Sequence, residues 1–242
     1  MRRILVDWLV QAHSMLGLSP ETLHLAISIV DRFLELRIIE KEKLQILGIS
    51  ALFLSSKYEE IHVPSSQEYE CVAGNEITKN DILEMEKSIL CRLQFDISAP
   101  STLIFSQIIG NFVMKNSQKS TKIIAKLSIL FGELSLMDAT LTTISNATIG
   151  CATWILAMKV TMDGEEEEEE WKRMERIILK HVGTKKTEMR GVVEQLARAV
   201  HRNFRNARLF AIRKKYETNQ YGKASGLLTD DVLKRIEQIG YQ

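Results

Sequence analysis

The side chains best suited to ligating a metal or attacking an electrophile here are five histidines and three cysteines, and their placement supports neither use. His13, His24, His62, His181 and His201 stand singly, with no cysteine or carboxylate at ligand spacing. Cys71, Cys91 and Cys151 are far apart and odd in number, and no C-x-x-C occurs, so neither a zinc site nor a disulfide framework is indicated. All three are expected to be small buried thiols in a reducing compartment. Phosphate-cradling and nucleophile motifs are also absent: there is no G-x-G-x-x-G, P-loop, H-E-x-x-H or G-x-S-x-G. These residues do not offer enzymatic chemistry, and no cofactor is implied. They do offer recognition. Lys57-Tyr58-Glu59-Glu60 sets two opposite charges and an aromatic ring side by side, at the end of a stretch, Leu44 to Ser56, that carries no charge.

That stretch must position them. It is apolar or small on every side, and a helix of that kind is normally buried. From Leu44 to Glu60 it would span roughly 25 Å, the width of a small domain. The pattern predicts a central core helix with one charged end at the surface.

The rest of the chain reads as more helices. Apolar spacings of three and four recur, strand-type alternation is scarce, and the three prolines all lie at or before Pro100. Hydrophobic residues at 45% and charged residues at 26% fit a soluble all-α protein with a proper core. Ile4, Leu5, Trp8, Leu9, Ala12, Met15 and Leu16 share one face of a first helix that Gly17 ends. Ser19-Pro20-Glu21 starts a second, with Leu23, Ala26, Ile27, Val30, Phe33 and Leu34 inward. Pro64 stops the central helix, and Ser65-x-x-Glu68 and Thr78-x-x-Asp81 are capping boxes for a fourth and a fifth. Further helices are expected over Leu103–Met114, Thr121–Met137, Trp171–Val182 and Glu188–Phe204. The uncharged run Ala139–Met158 is long enough to raise a membrane span, but its polar first half makes it a buried helix preceded by a polar turn. No signal peptide is visible, so Asn146-Ala147-Thr148 is a chance match to a glycosylation sequon.

Gly48-Ile-Ser-Ala-Leu-Phe-Leu-Ser-Ser-Lys57 can be laid on Gly150-Cys-Ala-Thr-Trp-Ile-Leu-Ala-Met-Lys159 at an offset of 102. That period is too long for a solenoid unit and suggests two similar domains in tandem. Glu165 to Glu170, after Asp163-Gly164, reads as a solvated loop held open by self-repulsion. Arg198 to Lys215 holds seven basic residues and no acid, a solvated basic face or a patch for acidic partners.

Several segments, in order, make the chain resemble a known family. Met1-Arg-Arg-Ile-Leu-Val-Asp-Trp-Leu-Val10, Glu21-Thr-Leu-His-Leu25, Asp31-Arg-Phe-Leu34, Lys43-Leu-Gln45, Ser56-Lys-Tyr-Glu-Glu60 and Leu83-Glu-Met-Glu86 resemble the cyclin box of mitotic A- and B-type cyclins. Gly132-Glu-Leu-Ser-Leu-Met-Asp138 is similar to a segment of the second box. The resemblance implies two five-helix boxes, over 1–97 and 98–216, followed by a tail over 217–242. It also implies a non-catalytic subunit that binds and activates a cyclin-dependent kinase as a heterodimer in G2/M control, in nucleus and cytoplasm. No nucleic-acid or membrane partner is expected.

The family match assigns Lys57 and Glu86 to a kinase-contacting pair, with Tyr58, Glu59, Phe95 and Ile97 at neighbouring contact positions. It assigns Met1, Ile4, Leu5, Trp8, Gln11, Leu44 and Gln45 to a patch that docks R-x-L substrates and inhibitors, although periodicity alone would make the apolar members core. Gln11 stands where A-type cyclins carry a glutamate, so the charge-assisted bond to the motif's arginine is missing. Arg2 and Asp31 match a structural pair. Two rivals are a tandem-box transcription factor that binds DNA and the basal machinery, and a helical scaffold with a degenerate box. The first predicts a strongly basic chain, against a net charge of +1, and the second predicts loss of Lys57 and Glu86.

Overall fold

The computed structural model describes residues 1–74, 76–117, 121–161 and 164–241; Asp163, read above as part of an acidic loop, lies outside the described residues. Twelve α-helices and four short 3-10 turns, with no strand, make up the regular structure among them. The chain divides into two compact units, residues 1–101 and 102–242.

The first unit holds α1 (Arg2–Met15), α2 (Pro20–Leu36), α3 (Leu44–Glu59), α4 (Ser66–Val72) and α5 (Lys79–Arg92). α3 is the axis: every residue from Leu47 to Ser56 is buried, among α1, α2, α4 and α5. Gly48 allows that approach, since a Cβ there would sit 2.9 Å from Leu5 Cδ1 and 3.3 Å from Leu9 Cδ2. Both capping boxes form: Ser65 with Glu68 starts α4, and Thr78 with Asp81 starts α5.

The second unit holds α6 (Thr102–Asn116), α7 (Lys122–Leu136), α8 (Asn146–Thr161), α9 (Glu165–Val182), α10 (Lys186–Phe204), α11 (Ala211–Lys215) and α12 (Asp230–Gly240). α8 is its axis, buried from Ile149 to Met158. The α6 contact is tighter than its counterpart, because a Cβ on Gly150 would lie 2.8 Å from Phe105 Cβ and 3.0 Å from the Ser106 backbone nitrogen. Trp154 locks the same pair by donating its Nε1–H to the Ser106 carbonyl at 2.7 Å. Within the segment expected as a tail, 217–242, α12 buries Leu233 and Ile236 and packs on α10.

Two local expectations are corrected and a third is refined. The run Glu165–Glu170 opens α9 instead of looping out. Acids suit the first turns of a helix, where the dipole is positive, and Glu168, Glu169 and Glu170 pair with Lys172 and Arg173 one turn on. The basic stripe is mostly solvated, as expected, with Arg198, Arg202, Arg205, Arg208 and Lys214 exposed, but several of its members also bond within the unit. Arg198 bonds the Gly240 carbonyl, Arg202 pairs with Asp138, Arg205 with Asp230 and Lys215 with Glu133. That last pair is buried, its side chains 2% and 1% exposed with Nζ–Oε1 2.6 Å, and the Tyr221 ring lies 4.9 Å from the ammonium. Finally, Cys71 and Cys91 are exposed, and only Cys151 is buried, its thiol pushed up to about 12 by burial.

Candidate functional site: the charged end of the first central helix

Glu86 sits on the buried stripe of α5, one turn from Ile82 and from Ile89, so the helical period carries a carboxylate to a core position. Lys57 meets it from the last turn of α3. Its Nζ donates to both carboxylate oxygens, at 2.6 and 2.7 Å. The lysine is the open partner, its side chain 40% exposed against 10% for Glu86. Beneath, the ammonium lies 4.0 Å from the centroid of the Phe53 ring, one turn earlier on α3. Phe53 meets Tyr69 of α4 edge-on at 5.0 Å, and the Tyr69 hydroxyl donates to Ser56 Oγ at 2.7 Å. Burial pushes the Tyr69 phenol up to about 12. Lys57 is thus braced by Phe53 of α3 and Glu86 of α5, with Tyr69 of α4 behind the Phe53 ring, and its side chain stays 40% exposed.

Tyr58 and Glu59 come next along the chain and are exposed. Partial burial raises the Glu59 carboxyl, with Glu21 and Glu60 adding to the rise. Glu60 turns back to the start of α2, where the Ser19 backbone N–H donates at 2.7 Å and the Thr22 hydroxyl also donates. Burial alone would raise Glu60; those bonds, with His13 nearby, outweigh it and leave the carboxyl below its usual range. The clasp fixes where α3 ends.

Phe95 stands on the turn after α5, 70% exposed, and Ile97 is half-buried beyond it. Gln94 and Phe95 both have positive φ, 53° and 61°. Non-glycine residues held there cost on the order of 1–3 kcal/mol each and persist only when neighbours enforce them. The neighbour is Arg32 of α2, a residue to which the sequence assigned no role. Its Nη2 donates to the Asp96 carbonyl at 2.6 Å and lies 3.2 Å from Asp96 Oδ2, and Nη1 reaches the Ile97 carbonyl at 3.4 Å. The adjacent Asp31 accepts from Arg2 Nε and Nη2 at 2.7 and 2.8 Å, tying α2 to α1.

Along α1 and the Met1 that precedes it, Met1, Ile4 and Gln11 are exposed and Trp8 is partly exposed, at spacings of three and four that share one face. Leu5 departs from the expected patch: it is buried and packs over Gly48, as a floor rather than a lining. Leu44 is partly exposed, and Gln45 is exposed with Nε2 donating to the Ala73 carbonyl at 3.2 Å. The Gln11 amide donates to Asp7 Oδ2 at 3.0 Å, so the carboxylate of this region is Asp7, which is buried.

The second unit repeats the helix end without leaving it open. Lys159, at the place of Lys57, is half-buried 5.3 Å from the ring of Trp171 on α9, and burial lowers its pKa. Among the described residues no three His, Cys, Asp or Glu side chains gather as a metal site requires. Nor is any described helix long and apolar enough to cross a membrane.

Comparison with known proteins returns two adjoining family models, "Cyclin, N-terminal domain" over residues 1–98 and "Cyclin, C-terminal domain" over 100–230. The G2/mitotic-specific cyclin-B1 of Caenorhabditis elegans is 39% identical over 246 residues, covering 99% of this chain and 67% of that protein. The G2/mitotic-specific cyclin cdc13 of Schizosaccharomyces pombe is 32% identical over 99% of this chain and 46% of its own length. The chain thus spans two thirds of one relative and about half of the other. Among solved structures, a viral cyclin from herpesvirus saimiri superposes with a TM-score of 0.70 at 18% identity, covering 82% of this chain and 83% of that one. A chain of the CAK complex from Chaetomium thermophilum bound to ATP-gamma-S does so at 0.64 and 14%, covering 98% and 72%. At these identities the two structures speak for the fold alone.

Proposed function

The chain belongs to the cyclin family, and on that premise we propose that it binds and activates a cyclin-dependent protein kinase in the control of entry into mitosis. One observation carries the reading: the Lys57–Glu86 pair is held rigidly from below and open above, at the end of a fully buried helix. An exposed ion pair alone stabilises a fold by only about 0–1 kcal/mol. Such a pair is better suited to a partner, because a lysine already oriented by a glutamate can donate to backbone carbonyls with little further loss of freedom. Tyr58 and Phe95 supply exposed aromatic anchors of the kind that dominate interface energies, and Glu59 and Ile97 flank them.

The chemistry belongs to the kinase, and this chain acts as a non-catalytic subunit. Docking of the kinase's mobile helix against α3 and α5 would drive its glutamate toward the ATP-binding lysine and free the activation loop. The exposed strip of Met1, Ile4 and Trp8, bordered by Leu44 and Gln45, is a surface for an extended R-x-L segment of substrates and inhibitors. With Gln11 as an amide and Asp7 buried, that surface binds the motif's arginine more weakly than a glutamate at position 11 would. A kinase partner of this kind implies residence in nucleus and cytoplasm.

Reconstitution with a purified cyclin-dependent kinase tests both surfaces. Lys57→Ala and Glu86→Ala, each folded by circular dichroism, are expected to abolish activation, and wild-type activation by both would refute the docking assignment. Trp8→Ala is expected to keep kinase binding and lower phosphorylation of R-x-L substrates only. Equal loss on substrates lacking the motif would refute the groove.

A further inference from the structure

We infer that Arg32 is a positioning residue of the docking surface: it holds the turn after α5 so that Phe95 is presented to the kinase in one fixed direction. The inference rests on the reading of Phe95 as a kinase anchor. Three features of the turn lead to it. Gln94 and Phe95 are consecutive left-handed residues, and neither is the glycine or asparagine that enters that region readily. The Phe95 ring is 70% exposed, so burial of its own side chain does not select the conformation. Packing under the turn is open as well: Arg32, Glu35, Leu36, Arg92, Leu93 and Gln94 line a cleft of about 350 Å³.

Hydrogen bonds must therefore hold the turn. Some are its own, with Phe95 N–H donating to the Leu90 carbonyl at 2.9 Å and Asp96 N–H to the Leu93 carbonyl at 2.9 Å. These close the end of α5 as helix C-termini commonly close, and that closure needs one left-handed residue, not two. The outside support is Arg32, whose planar fork spans the Asp96 and Ile97 carbonyls. The preceding residue, Asp31, is locked bidentately to Arg2. Consecutive residues of α2 thus face different elements, Asp31 bracing α1 and Arg32 the turn that carries Phe95.

The test is a double-mutant cycle in the full chain, read as affinity for a cyclin-dependent kinase purified free of its own cyclin. Phe95→Ala is expected to weaken binding roughly tenfold or more, the loss of one anchoring aromatic. Arg32→Ala should weaken it to a similar degree, and Arg32→Ala with Phe95→Ala no further than Phe95→Ala alone. Kinase activity at saturating chain should match wild type in Arg32→Ala while the concentration for half-activation rises. Gln94→Gly, which adopts positive φ freely, should restore part of the affinity in the Arg32→Ala background. Losses that multiply between Arg32→Ala and Phe95→Ala would overturn the positioning role and leave the docking surface standing, as would wild-type affinity in Arg32→Ala. Unchanged affinity in Phe95→Ala would instead overturn the assignment of Phe95, and the role of Arg32 with it.

Discussion

The Lys57–Glu86 pair makes an asymmetric prediction about stability that can be separated from its part in docking. The two partners are unequally buried, with side chains 40% and 10% exposed. Lys57→Met keeps the aliphatic stem over Phe53 but removes the ammonium 2.6 Å from Glu86. The carboxylate is then left nearly buried without its cation. Breaking a fully buried pair costs about 3–5 kcal/mol, and breaking an exposed one costs about 0–1 kcal/mol. With one buried and one open partner, the expected loss for Lys57→Met is about 1–3 kcal/mol, the range for a buried acceptor that loses its donor. Glu86→Gln keeps the shape and an acceptor oxygen, and the ammonium it releases can turn to water. Its expected cost is about 0–1 kcal/mol. The double variant leaves no charge buried and should cost less than Lys57→Met alone. Urea unfolding followed by circular dichroism gives all three values, provided the slopes agree so that midpoints report stability. A cost for Glu86→Gln equal to or above that of Lys57→Met would refute the view that the carboxylate is the buried partner. So would a double variant less stable than Lys57→Met. Activation should not track the stability order, since Lys57→Met and Glu86→Gln each break the oriented pair that a kinase would meet.

Two further predictions concern the unit cores. Gly48→Ala meets only the movable tips of Leu5 and Leu9, and alanine returns about 0.5–1 kcal/mol of helix preference, so its net effect should be near zero. Gly150→Ala meets the Phe105 Cβ and the backbone of α6, and should cost about 1–3 kcal/mol; thermal melts giving Gly48→Ala as the more damaging change would contradict these approaches. For Asp138, burial pushes the carboxyl up, but the Thr140 amide and hydroxyl with Arg202 outweigh it and hold the pKa low. A depressed folded pKa stabilises above the unfolded value of about 4 and is lost as pH falls through the folded one. Asp138→Asn should therefore be less stable at neutral pH, with the deficit shrinking below about pH 4 in denaturant titrations; a constant deficit from pH 7 to 3 would refute the linkage.

What the sequence made legible was what local rules govern. The uncharged run fixed the axis of the first unit, and its echo at Gly150 fixed that of the second. Ser65–Glu68 and Thr78–Asp81 declared two helix starts because a capping box is complete within four residues. What stayed hidden depended on distant partners. Arg32 meets a carbonyl 64 residues away, and Lys215 finds Glu133 across 82, so nothing local marks either as more than a surface charge. Leu5 shows a subtler limit. Its spacing alone makes it core, and only the family resemblance moves it to the patch; the missing side chain at Gly48 gives it the room that keeps it inside. The glutamate run misled because like charges suggest repulsion, whereas a helix start turns them into favourable partners of its dipole and of Lys172 and Arg173.

The two central helices carry a lysine at the same place near their ends and differ in the segments that come after it. After α3, Glu60 is tied back to the start of α2 and Pro64 bars continuation, so the chain leaves and the Lys57 ammonium keeps an open side. Past α8, the acidic run begins a long helix, and α9 carries Trp171 over Lys159. Desolvation there lowers the lysine pKa, as expected for a charge half-covered from within its own unit. The repeated helix end therefore takes two forms, its lysine open on one side in the first unit and half-covered by α9 in the second. The difference rests on the segment that follows each helix, not on the lysines themselves.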